Sequence, residues 1–163
     1  MKHTRNLYVP CLDIDVLSGA NTGTPDWQPI DLSTVFELAM NPNEETYAYI
    51  KDANDYSEIT GYAMNMSQEI VMESDNPIYA NMRPFMMSMP TGSAAKVPVL
   101  IVMPDMSTNA ATVGYRWADA TVSPQAINSV DGKLTFNLNL NGTPKQGTVS
   151  GVGTSTITFT PAP

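Results

Sequence analysis

From Gly61 to Glu73 apolar and polar residues alternate one for one. Tyr62, Met64, Met66, Ile70 and Met72 fall on one side with Gln68; Ala63, Asn65, Ser67, Glu69, Val71 and Glu73 fall on the other. A period of two over this length predicts a strand half-buried in an antiparallel sheet, because a helix would scatter the same apolar groups round its circumference. The strand is predicted to open near Ser57 and to run into Ser74-Asp75-Asn76-Pro77, where an Asx cap followed by proline predicts a helix start. That helix is expected over residues 75–89, ending before Pro90-Thr91-Gly92. Beyond it, Lys96 to Pro104 is apolar on both faces. Pro98 cannot donate to a ladder, so this strand is predicted to begin at a sheet edge or a subunit boundary.

The rest of the chain reads mostly as strand. Leu12, Ile14 and Val16 share one side of an extended segment with Asp13 and Asp15 opposite. Residues 17–26 are a run of loop formers, too long for a tight hairpin turn. Residues 31–40 read as extended and are stopped by Asn41-Pro42-Asn43. Tyr47 to Lys51 is aromatic and alternating, hence strand, and Asp52 to Asp55 makes a turn. Val113, Tyr115 and Trp117 alternate again. Leu134, Phe136, Leu138 and Leu140 oppose Thr135, Asn137, Asn139 and Asn141, and Thr154 to Thr160 supplies a last strand. The predicted fold is mainly β with one short α-helix: two packed antiparallel sheets, sandwich- or barrel-like, in a single domain over residues 1–163.

A chain of 163 residues can bury a core without staples. Its single cysteine, Cys11, excludes an internal disulfide and reads as a small packed apolar group. One histidine, His3, leaves little with which to build a catalytic triad or a zinc site. Glu44-Glu45 is the one adjacent acid pair and reads as a solvated loop. Asp13 and Asp15 lack the rest of a calcium loop, and Gly19 and Gly23 lack the lysine of a phosphate cradle. No catalysis and no cofactor are expected. Eight basic against sixteen acidic residues give a net charge of −8, which repels phosphates and disfavours nucleic-acid binding of the ordinary kind. No stretch reaches the roughly 20 apolar residues of a membrane span. The basic start is interrupted by Pro10, Asp13 and Asp15, so no signal peptide is read and synthesis in the cytoplasm is expected. The many methionines, concentrated in residues 64–89, are expected to fill a core and a subunit interface.

The order of signals resembles the tail tube (major tail) proteins of long-tailed bacteriophages, particularly those infecting Gram-positive bacteria. The matching pieces are Glu45 to Asp52, Ile59-Thr60-Gly61-Tyr62, Glu69 through Tyr79 with its Asp75-Asn76-Pro77, and the Gly92 turn. In the C-terminal part they are Asn128 to Leu140, Gly147-Thr148-Val149 and Thr158 to Pro161. The resemblance implies two packed sheets with a flanking helix and a long hairpin loop, and self-assembly into stacked hexameric rings around an acidic channel for DNA passage into the host. It implies as partners the chain itself, a tape-measure protein, a tail terminator and a distal tail protein. DNA would pass without sequence-specific binding, no membrane would be involved, and the location would be the virion tail after synthesis in the host cytoplasm. On this reading residues 17–26 are the inter-ring loop, with Ser18, Gly19, Asn21, Thr22, Gly23 and Asp26 in contact. Asp13, Asp15, Glu69 and Glu73, on polar faces of predicted strands, would face the lumen. Contractile and non-contractile tails are not separated by it. The alternative is a β-sandwich adhesion or carbohydrate-binding module, suggested by the Thr- and Asn-rich C-terminal half.

Overall fold

In the computed structural model, which describes residues 2–163, strand β1 (Val9–Asp13) gives way to a single helical turn, α1 (Ile14–Leu17), and the chain returns as β2 (Trp27–Pro29), antiparallel to β1. The extended segment expected to reach Val16 therefore stops at Asp13. The reason is a cap: the Asp13 carboxylate accepts the Asp15 N–H at 3.1 Å and starts the turn. There follow β3 (Pro42–Tyr47), β4 (Tyr56–Tyr62), β5 (Asn65–Val71), α2 (Pro77–Met87), β6 (Val99–Pro104), β7 (Ala111–Trp117), β8 (Thr121–Asn128), β9 (Lys133–Asn139), β10 (Lys145–Ser150) and β11 (Thr158–Pro161).

Six strands form one antiparallel sheet in the order β11-β10-β7-β6-β1-β2. A further antiparallel bridge, Trp27 to Ile157, ties its two ends together, so the sheet curls into a near-closed half-barrel. Inside the curl lies a small core of Cys11, Trp27, Leu100, Val102, Val149 and Ile157. The Cys11 thiol is fully buried there, and desolvation pushes its pKa up to about 12. The second sheet, β5-β9-β8, packs across the outside of the first. Between them lies the main core, with Val99, Ile101 and Trp117 from one sheet and Met66, Ile70, Phe136 and Leu138 from the other.

β6 is apolar on both faces because it divides the two cores. Val99 and Ile101 point to the larger, Leu100 and Val102 to the smaller. It is also interior to its sheet, flanked by β1 and β7, and not at an edge. Pro98 sits just outside the strand, where it needs no ladder donor, and its carbonyl accepts the Asp13 N–H at 3.2 Å.

The expected helix is α2, two residues shorter at each end than 75–89. Asn76 caps it by accepting from the N–H groups of Ile78 (2.9 Å) and Tyr79 (3.2 Å), with Pro77 in the first turn. Ile78, Met82 and Met86, four apart, bury one stripe in the main core. Pro84 lies on the exposed face, and its missing N–H leaves the Ala80 carbonyl without its intrahelical donor.

Candidate assembly surface

Strand β5 keeps the predicted alternation, with Met66, Gln68 and Ile70 buried and Ser67 and Val71 exposed. Tyr62, predicted on the same buried side, is 56% exposed. The long strand is broken at residues 63–64, and its first part, β4, leaves the body altogether. Among the described residues β4 pairs only with β3, from Pro42–Tyr62 to Tyr47–Tyr56.

The pairing does not begin at β3. Ser33 bridges Ile70, Ala39 bridges Asn65, and Asn41 accepts from Ala63 N–H at 3.1 Å. These pairs keep the register of β3 and β4 to within one residue, the shift falling at a bulge near Asn43 and Glu44. Residues 33–47 and 56–70 are therefore one long antiparallel hairpin. Its near half covers the open edge of β5. Its far half, β3–β4, extends as a two-stranded arm on which every residue from Asn41 to Thr60 is exposed.

An isolated ribbon of this kind has no core face of its own. The arm nevertheless carries Tyr49 (51% exposed), Ile50 (108%) and Ile59 (51%), together with Tyr56 and Tyr62. At its tip, Ile50 and Lys51 occupy the corner of a turn closed by Asp52 N–H to the Tyr49 carbonyl at 3.0 Å. The Tyr47 and Tyr49 rings stack with centroids 6.0 Å apart. The Tyr47 hydroxyl donates to Glu45, which raises the Tyr47 pKa. Glu45 stands directly across from Glu58, a like-charge pair that disfavours the free ribbon. Residues 42–62 hold five acids (Glu44, Glu45, Asp52, Asp55, Glu58) and one base (Lys51), so four of the eight net negative charges sit on the arm. Glu44 and Glu45, being adjacent in a strand, point to opposite faces and do not converge.

The residues expected in an inter-ring loop, Ser18, Gly19, Asn21, Thr22, Gly23 and Asp26, are all at the surface, in a loop that is held from below. Asp15 accepts from the Thr22 hydroxyl (2.7 Å), the Thr22 N–H (2.9 Å) and the Gly23 N–H (3.3 Å), and Asp13 accepts from the Asp26 N–H at 3.0 Å. Asp13 and Asp15 were expected on an exposed strand face. The structure buries them, at 3% and 8% exposure, because their carboxylates replace backbone partners that this loop lacks. Glu69 and Glu73 do reach the surface. Glu69 shares its charge with Lys133 of the neighbouring strand at 2.6 Å, and Glu73 is exposed just after β5.

The Thr22 hydroxyl, followed by the Thr22 N–H, holds the Asp15 pKa below the usual carboxylate range. Stability from such a group is complete above its unfolded-state value of about 3.9 and is lost as pH falls through the lower folded value. Melting temperatures of Asp15→Asn and the parent are therefore expected to differ at neutral pH and to converge below about pH 4. A difference unchanged down to pH 2 would show that the carboxylate does not hold the loop.

Among the described residues no group of three or more His, Cys, Asp or Glu is placed to hold a metal ion, and no helix is long and apolar enough to cross a membrane. What the molecule does present to solvent is the tyrosine-rich arm. No family model matches the chain, and no curated protein matches it. Solved structures do. One likeness is to a chain from the PVC extracellular contractile injection system, in its sheath/tube terminator in the extended state. It has a TM-score of 0.54 at 6% identity and covers 87% of this chain and 94% of the other. Another is to a chain of the anti-feeding prophage tube-terminating cap, with a TM-score of 0.53 at 9% identity and coverage of 99% and 93%. A third is to a chain of the PVC sheath–tube complex, with a TM-score of 0.53 at 5% identity and the same coverage. At these identities the likeness is one of fold.

Proposed function

We propose that this protein is a structural subunit of a phage tail-type tube, one that self-assembles into stacked hexameric rings around a channel for DNA. The observation that carries the reading is the arm: an exposed, tyrosine-rich ribbon without a core of its own, on a fold shared with components of tube, cap and sheath assemblies. Exposed apolar surface of this kind is found on soluble proteins mainly where another surface covers it. A terminator at the end of such a tube is a related role, since chains of that kind are among those with this fold. The tape-measure, terminator and distal tail proteins of a long phage tail are the further partners on this reading, and the virion tail is the location.

Glu69, on the polar face of the β5-β9-β8 sheet that also carries Ser67, Asn137 and Asn139, and Glu73, exposed just past the end of β5, are the acids that this reading turns to the channel. Asp13 and Asp15 serve the loop from inside. Net charge supports passage of DNA without adhesion, since −8 per copy is repeated in every copy of a ring. Purified protein at high concentration is expected to form rings or hollow tubes in negative-stain electron microscopy. A single monomeric species by sedimentation velocity across the accessible concentration range would overturn the reading.

A further inference from the structure

Beside the base of the arm lies an open groove of about 580 Å³, walled by Val35 and Phe36 of the long hairpin and by Tyr8, Pro10 and Ile30 of the body, with Arg5 at its rim. The Tyr8 and Phe36 rings meet at 5.6 Å and form an aromatic wall. Val35 is 39% exposed. We propose that this groove receives the arm tip of a second copy of the chain, with Ile50 entering between Val35 and Phe36. The proposal rests on the self-assembly reading above and adds the partner surface to it.

Three observations lead there. First, the tip and the groove each lack what the other has. Ile50 is an isoleucine wholly in solvent at the corner of a turn, and the groove is an open, largely apolar recess with room for a turn and its side chains. Second, their charges match. The tip carries Lys51 beside Asp52 and Asp55, while the groove offers Asp31 and Arg5. One guanidinium nitrogen of Arg5 donates to the Thr34 carbonyl at 2.6 Å, which leaves further donors of the fork for a carboxylate.

Third, the tip cannot fill its own groove. Ile50 is fourteen residues beyond Phe36 along the same leg of the same hairpin. At roughly 3.3 Å per residue the two lie about 46 Å apart along a paired ribbon that cannot fold back on itself. The occupant therefore comes from another molecule. A tip-to-base contact joins two different surfaces, so each copy gives one and receives one. Such a heterologous contact propagates, closing into a ring or continuing as a stack.

This geometry makes a test possible with two defective variants. Ile50→Asp spoils the tip and Val35→Asp spoils the groove, and each alone is expected to raise the concentration for half-assembly at least about tenfold. Mixed in equal amounts they are expected to give a one-to-one dimer and nothing larger, since only one intact tip and one intact groove remain per pair. Arg5→Glu, at an exposed site, is the second groove variant should Val35→Asp melt without cooperativity. Assembly of either defective variant at the parent's concentration, while the parent forms rings or tubes, would overturn the tip-to-groove contact and leave the self-assembly reading standing. A parent that stays monomeric overturns both.

Discussion

Excising residues 43–61 and joining Pro42 to Tyr62 through an Asn-Gly turn is expected to give a folded protein that has lost all assembly. Pro42 and Tyr62 are paired across the hairpin, so a two-residue turn with positive φ at both positions closes the gap in register. Nothing between them enters either core, and no residue from 43 to 60 is buried. No buried contact is removed, so the melting temperature should move little. What goes is Ile50, Ile59, three tyrosines (Tyr47, Tyr49 and Tyr56) and half of the net charge. Circular dichroism through a thermal ramp and sedimentation velocity read the two outcomes separately. A broad, uncooperative melt would place the arm in the fold; unaltered assembly would remove it from the contact.

The second large effect belongs to the curled sheet. Gly147 of β10 pairs with Gly114 of β7, and the Phe159 ring from β11 lies over both. A Cβ on Gly147 would stand 2.2 Å from the Thr160 carbonyl oxygen and 2.7 Å from the Phe159 ring; one on Gly114 would stand 2.4 Å from the Val149 side chain. The glycines therefore make the slot that lets the sheet close on its own interior. Gly147→Ala meets backbone, which cannot swing aside as a side chain can, and is expected to cost about 3 kcal/mol. For a chain of this size that lowers the melting temperature by roughly 6–12 °C. Gly61→Ala, with an ordinary φ and only one side-chain atom within 4 Å, is the control expected to change nothing measurable. A Gly147→Ala protein that melts with the control would show that the slot has slack.

Strong, local signals were legible in the sequence. Met66, Gln68 and Ile70 alternate inward as the period of two requires, and Asn76-Pro77 starts the helix where capping chemistry places it. The failures have one cause, which is that periodicity reports the two faces of a strand and not its neighbours. Val99 to Met103 reads as apolar on both sides whether it lies at a subunit boundary or between two cores of one molecule, and only the pairing with β1 and β7 decides. Asp13 reads as the outward residue of a strand, yet the same short carboxylate serves as a helix cap. The arm was half visible. Ser57 to Tyr62 reads as strand and is one, whereas Tyr47 to Lys51 reads as strand but only Tyr47 belongs to β3, with Ile50 and Lys51 turning the corner. The distinguishing sign is that neither arm strand has a run of Leu, Val or Phe on one face, so a ribbon there has nothing to bury.

Because one strand furnishes the lining of both interiors, neither interior can come apart while the other survives. Loss of packing on either side of β6 is therefore expected to melt both cores in a single transition.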